Sequence, residues 1–203
     1  SRYELVHETL RLFIAEREEH IFKKSLPREV FALIESIQGE KGEKVVYRST
    51  KEEIDTRMVE LGKLMHRFIG LFKKHDYGRY ATLKSVFEQQ YSVGDDKTVL
   101  PLEKENISAK SVQSPHDTDC HYRNKDGNKV KGYSVNVTET CDKPAQGDSP
   151  VLNLITDTRV EAVSTPDNSF LEQALENTQE IVTDEIEKAH VYGAFNSARN
   201  QEY

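Results

Sequence analysis

The chain changes its hydrophobic rhythm once, from helical spacing to strand alternation. Up to residue 91, apolar positions recur three or four apart. Leu5, Leu10, Phe13, Ile14, Ile21 and Phe22 follow this spacing in the first segment, with Glu16, Glu18 and Glu19 on the other face, which predicts an amphipathic helix. Ser25 is placed to cap a second helix, with Pro27 in its first turn and Val30, Phe31, Ile34 and Ile37 as its buried stripe. Gly39 and Gly42 then break the pattern. Thr50-Lys51-Glu52-Glu53 is a capping-box sequence, in which the threonine hydroxyl accepts from an orphan amide and the glutamate reaches back. The long helix it opens, reaching His75, carries Ile54, Met58, Leu61, Leu64, Met65, Phe68 and Phe72 on one stripe. Such a stripe serves either an internal core or a dimer seam, and both readings stay open. A further short helix presents Tyr80, Leu83, Val86, Phe87 and Tyr91.

Between Ser92 and Ser114 the periodicity gives way to Gly94, Asp95, Asp96, Lys97 and a charged stretch around Pro101, a connector by composition. After it, Tyr133, Val135 and Val137 alternate with Ser134, Asn136 and Thr138, the pattern of a strand whose apolar face is buried. Asp126-Gly127 suits a tight turn, so residues 119–140 are predicted to form a β-hairpin. A loop from Lys143 to Pro150 leads to a third strand over Val151–Val163. Asp167 or Ser169 then opens a helix bearing Phe170, Leu171, Leu175, Thr178, Ile181 and Val182, and Ala189-His190-Val191-Tyr192 reads as a short fourth strand. The predicted division is a helical part with its connector over residues 1–110 and a strand-rich part over 111–203.

Composition narrows the functional classes. At 203 residues, 36% hydrophobic and 31% charged, with no tryptophan, the chain has the make-up of a well-solvated protein. No run approaches the roughly 20 apolar residues of a membrane span, and nothing near Ser1 resembles a secretory leader, so a cytoplasmic location is expected. Cys120 and Cys141 do not make a disulfide scaffold; across the hairpin Cys120 faces the neighbourhood of Tyr133, and reduced thiols are expected. The formal net charge of −7 argues against a general nucleic-acid coat. The acidic residues concentrate after residue 134, whereas residues 1–91 are slightly basic, so any DNA contact falls on the helices or the basic hairpin turn.

The segment Ser114-Pro115-His116-Asp117-Thr118-Asp119-Cys120, the basic turn after it, Gly132-Tyr133 and Glu139-Thr140 together carry a family likeness. It continues through Leu152-Asn153-Leu154-Ile155-Thr156 and Asp167 to Gly193-Ala194-Phe195-Asn196-Ser197. This series resembles the central block of the DDE transposases of bacterial insertion sequences. The resemblance is specific over residues 108–203 and weaker over 1–107. It implies an α+β or α/β fold: a partial RNase H-like core of hairpin, third strand, helix and short fourth strand, with a large N-terminal helical insertion. It also implies binding to transposon-end DNA and Mg²⁺-dependent strand transfer in an intact relative.

That chemistry uses two divalent ions, one activating the attacking hydroxyl and one stabilising the leaving oxygen, held by carboxylates from three distant points of the chain. Against the family pattern, this chain starts after the first carboxylate and stops before the third. At the second, where the family carries aspartate before Gly-Ala, it has Tyr192. A phenol with a pKa of about 10 is a poor Mg²⁺ ligand at neutral pH. The expectation is therefore no intact catalytic set, no bound metal and no strand transfer.

Asp117 and Asp119 lie beside His116, Cys120 and His121, but hard and soft donors crowded into consecutive residues cannot all converge on one ion, because alternation sends neighbours to opposite faces. Structural roles are preferred: Asp117 capping the turn into the hairpin, with Cys120 and His121 on opposite sheet faces. Asp117, Asp119 and Glu139 remain candidates to line a cleft. His7, His20, His66 and His75 read as isolated surface histidines. Arg123, Lys125, Lys129 and Lys131 form the concentrated basic cluster of the second half, either a contact for a DNA backbone or a solubilising hairpin tip. Two functions are thus in play: a piece of a transposase, or a decayed or domesticated DNA-binding or interaction module without enzymatic activity, with a homodimer as one option for its assembly. Neither involves a membrane.

Overall fold

The computed structural model describes the chain except for residues 75–77, 126, 142–151 and 202–203. His75, Asp126, the Lys143–Pro150 loop and the predicted strand start at Val151 therefore lie outside the described residues. The fold is mixed α+β, with six α-helices and two small antiparallel sheets among the described residues. It divides into two compact units, Ser1–His121 and Tyr122–Tyr203. The Ser114-Pro115-His116-Asp117 segment thus falls in the helical unit. No helix among the described residues is long and apolar enough to cross a membrane.

The first unit is built on α1 (Arg2–Phe22), α2 (Arg28–Gly39), α3 (Gly42–Arg48), α4 (Lys51–Phe72) and α5 (Arg79–Gln90). Both long helices start at capping boxes. Ser1 accepts from the Glu4 amide and Thr50 from that of Glu53, and each glutamate reaches back to the cap residue, so two orphan amides are satisfied per helix. Ser25 does not cap α2. That helix begins at Arg28 with Pro27 at the cap position and no side-chain cap bond; the proline supplies a fixed φ in place of a hydroxyl acceptor.

Apolar burial fixes the arrangement of these helices. Phe13 meets Phe68 and Phe72 at ring-centroid distances of 5.4 and 5.5 Å, edge or tilted, a geometry aromatic quadrupoles favour. Leu61, Leu64, Met65, Phe68 and Phe72 are all buried, so the α4 stripe is core and is not exposed as a dimer seam. The segment read as a break at Gly39 and Gly42 contains α3. A Cβ on Gly42 would stand 3.2 Å from the His7 side chain, so glycine allows α3 to approach α1.

The predicted connector contains a small hairpin, β1 (Tyr91–Val93) with β2 (Val99–Pro101), paired from Tyr91↔Pro101 to Val93↔Val99. Its anchor is Tyr91, whose ring lies over Gly62 and whose buried hydroxyl donates to the Met58 carbonyl at 2.9 Å. Burial pushes the Tyr91 phenol well above its usual range.

The second unit contains β3 (His121–Lys125), β4 (Asn128–Glu139) and β5 (Ile155–Ala162) in the sheet order β3-β4-β5, followed by α6 (Leu171–Ile181). β4 and β5 run antiparallel with Tyr133↔Ala162, Val135↔Val160 and Val137↔Thr158 opposite one another, and the register shifts between Thr138 and Glu139. The alternation in β4 is real, but the covered face is the reverse of the predicted one. Helix α6 lies over the polar face: Thr156 and Thr178 share a buried hydrogen bond of 2.8 Å, Asn177 donates to Asp157 at 2.8 Å, and Arg159 sits over the Phe170 ring. Tyr133, Val135 and Val137 are 44%, 62% and 54% exposed. A two-residue period states which side chains share a face; the partner helix decides which face is dry.

The predicted fourth strand is absent. Residues 182–192 form no strand, and Val191 and Tyr192 are exposed. A strand needs a ladder partner, and this short apolar run behind Glu185, Glu187 and Lys188 has none in the three-stranded sheet.

Candidate nucleic-acid interface

The basic cluster sits where the β3-β4 hairpin outruns its sheet. β5 pairs with β4 only from Tyr133 onward, and Val163 donates to the Gly132 carbonyl at 2.9 Å as the last bond on that side. Asn128 to Gly132 therefore project with β3 as a two-stranded ribbon. Gly127 at the turn has φ of +82° and Gly132 at the base has φ of +127°, conformations that disfavour any side chain. The turn and the base of the ribbon thus both depend on glycine.

The four cations divide between the two ribbon faces. Arg123 and Lys125 line a shallow depression of about 390 Å³ with Asn128, Val130 and Val163. Lys129 and Lys131 flank Val130 in sequence, so alternation sends them to the opposite face. Arg123 is anchored, its guanidinium 3.2 Å from the Asp167 carboxylate just before α6. Lys125, Lys129 and Lys131 are exposed and form no ion pair among the described residues. Holding Arg123 while leaving the lysines in solvent fixes the ribbon's direction and keeps its cations available to a polyanion.

The acidic candidates are not gathered in this way. Asp117 is half-buried in a tight turn where its amide donates to the Ser114 carbonyl at 3.3 Å, and the Ser114 hydroxyl accepts from the His116 amide at 3.2 Å. Asp119 is exposed in the next turn of the same unit. Glu139 is exposed in the other unit, at the end of β4 beyond the register shift. Among the described residues no three His, Cys, Asp or Glu side chains converge as a metal-holding group. Cys120 and Cys141 are free. Tyr192 is 84% exposed, and its carbonyl accepts from the Phe195 amide at 2.9 Å to open the Gly193–Phe195 turn. Asn200 ties that turn toward α6 by donating to the carbonyls of Phe195 and Asn168 at 2.8 and 2.9 Å.

Pairwise sequence reasoning missed how the Ser-Pro-His-Asp segment is held. Arg79 donates to the Pro115 carbonyl at 2.7 Å, Gln89 accepts from the Val112 amide at 2.8 Å, and His116 Nε2 lies 3.0 Å from Glu8 Oε1. Two helices, α1 and α5, thus hold one loop. The Glu8 carboxyl lies below its usual range, chiefly through its bonds to Arg11, with burial opposing and His116 adding. Helical spacing marks Glu8 as polar-face, and nothing local announces a partner so far along the chain. No protein-family model matches the chain, and no curated protein or solved structure is similar enough to match it.

Proposed function

We propose that this chain is a DDE-transposase-like polypeptide of RNase H-like ancestry whose own activity is binding to duplex DNA without strand transfer. The observation that carries the reading is the projecting ribbon with cations on both faces. A two-stranded β-ribbon fits the major groove, where each face looks toward one phosphate backbone. In this reading Lys129 and Lys131 meet one backbone, Lys125 meets the other, and anchored Arg123 sets the angle of approach. Support for the ancestry comes from the series strand, strand, strand, helix, with one helix on one sheet face, together with the motif residues from Ser114 to Ser197. Support for the lack of catalysis comes from Tyr192, a neutral phenol at the position where the family holds a carboxylate.

A titration of a fluorescent duplex of about two helical turns, repeated across salt concentrations, tests this. Each phosphate contact contributes about 0.9 to the slope of log K against log salt. Replacing Lys129 and Lys131 with glutamate should lower that slope by about 2. An unchanged slope would leave the lysines as solubilising residues and overturn the reading. Mg²⁺-dependent cleavage of transposon-end DNA by the chain would overturn its non-catalytic part.

A further inference from the structure

We propose that the exposed apolar face of the β3-β4-β5 sheet is the surface through which two copies of this chain pair. Tyr133, Val135 and Val137 on β4 stand opposite Ala162, Val160 and Thr158 on β5, so they form one continuous face. Val160 is 59% exposed, and Ile155 beyond the register shift is 67% exposed. Five large apolar side chains in adjacent strands present on the order of 500 Å², the size of patch that marks an interaction site.

The occupant is argued from area and charge. Two such faces together remove about 1,000 Å² from water, the lower bound for a specific protein interface. Between Tyr133 and Val137 the face carries no charged side chain. Asp157, Arg159 and Glu161 alternate onto the α6 side, and the charged residues of this face stand at its two ends, Lys131 before Tyr133 and Glu139 after Val137. The net charge of −7 gives two copies a net long-range repulsion. This face can meet its twin without opposing carboxylates, and a flat uncharged patch is self-complementary, as a two-fold contact requires. Face-to-face stacking of two sheets also supplies the apolar layer that α6 does not. The patch is distinct from Lys125, which lies on the opposite ribbon face, whereas Lys129 and Lys131 continue the apolar face beyond Tyr133.

Sedimentation equilibrium of the full chain, at concentrations rising to on the order of 100 µM, tests the proposal. The wild type should be a dimer in the upper range. Val135→Glu with Val160→Glu should be a monomer with unchanged circular dichroism. Val135→Thr with Val160→Thr keeps β-branched side chains and guards against a folding defect; it should weaken pairing at least tenfold. Lys125→Glu, on the opposite ribbon face, should leave pairing unchanged. A wild type that stays monomeric throughout, or a dimer that survives both valine double variants, would overturn it.

Discussion

Glu8 and His116, 108 residues apart, meet at 3.0 Å and join the first helix to the Ser-Pro-His-Asp loop. Glu8 also takes both its bonds from Arg11 at 2.7 Å, so one carboxylate serves helix and loop together. Its carboxyl is held below the ordinary value, so its contribution is complete above about pH 4.5 and is lost as pH falls through the depressed value. Glu8→Gln should lower stability at pH 7 by about 0.5–1 kcal/mol, the range of a partly exposed pair. Urea midpoints of wild type and variant should converge near pH 3.

Two glycines of α4 should respond in opposite directions to the same substitution. A Cβ at Gly62 would overlap the Tyr91 ring, whereas a Cβ at Gly70 meets nothing within 4 Å. Gly62→Ala should cost about 1–3 kcal/mol through overpacking. Gly70→Ala should gain about 0.5–1 kcal/mol from lost unfolded-state entropy. Thermal melts of the two variants check the sign.

His7 makes the helical unit sensitive to acid. Contrary to the surface position expected from the sequence, it is buried against Tyr3 and Gly42, and its Nδ1 has no hydrogen-bond partner. Burial lowers its pKa; Glu8 and Glu40 oppose this, and Arg11 and Arg57 reinforce it. Below about pH 6.5 the unfolded chain takes up a proton that the folded one refuses. Stability should then fall by up to about 1.4 kcal/mol per pH unit and level off below the folded pKa. His7→Leu should flatten this slope between pH 7 and 5 in denaturant titrations.

Thr156 and Thr178 join α6 to the sheet through a buried hydrogen bond between their hydroxyls. Thr178→Val removes the 2.8 Å bond and should cost about 1–2 kcal/mol, because it leaves the Thr156 hydroxyl buried with only a 3.4 Å approach to the Thr138 carbonyl. Replacing both threonines by valine should recover most of the loss. Chemical denaturation of the single and double variants separates these outcomes.

Local chemistry was the legible part of this fold. Thr50 and Glu53, three residues apart, declare their capping box, and the α4 stripe from Met58 to Phe72 declares a core helix. The alternation of β4 correctly sorts Tyr133, Val135 and Val137 onto one face. It misassigns the buried face because α6 covers its sheet through Ala174, Thr178 and Asn177, which no hydrophobic pattern reveals. Ala189 to Tyr192 have strand composition without a strand to pair with, a lack that lies outside the segment. Of the candidate site, the basic residues were visible as a cluster. Their projection as a free ribbon depends on where β5 stops pairing, at Tyr133 and Ala162.

The most direct test of DNA binding by the ribbon is an amide chemical-shift titration of the isotopically labelled chain with a short duplex at low salt. The ribbon reading expects saturable shifts concentrated at Arg123, Lys125 and Asn128 to Gly132, weakening steeply as salt is raised. Shifts confined to the helices of the first unit, or no shifts at all, would contradict it.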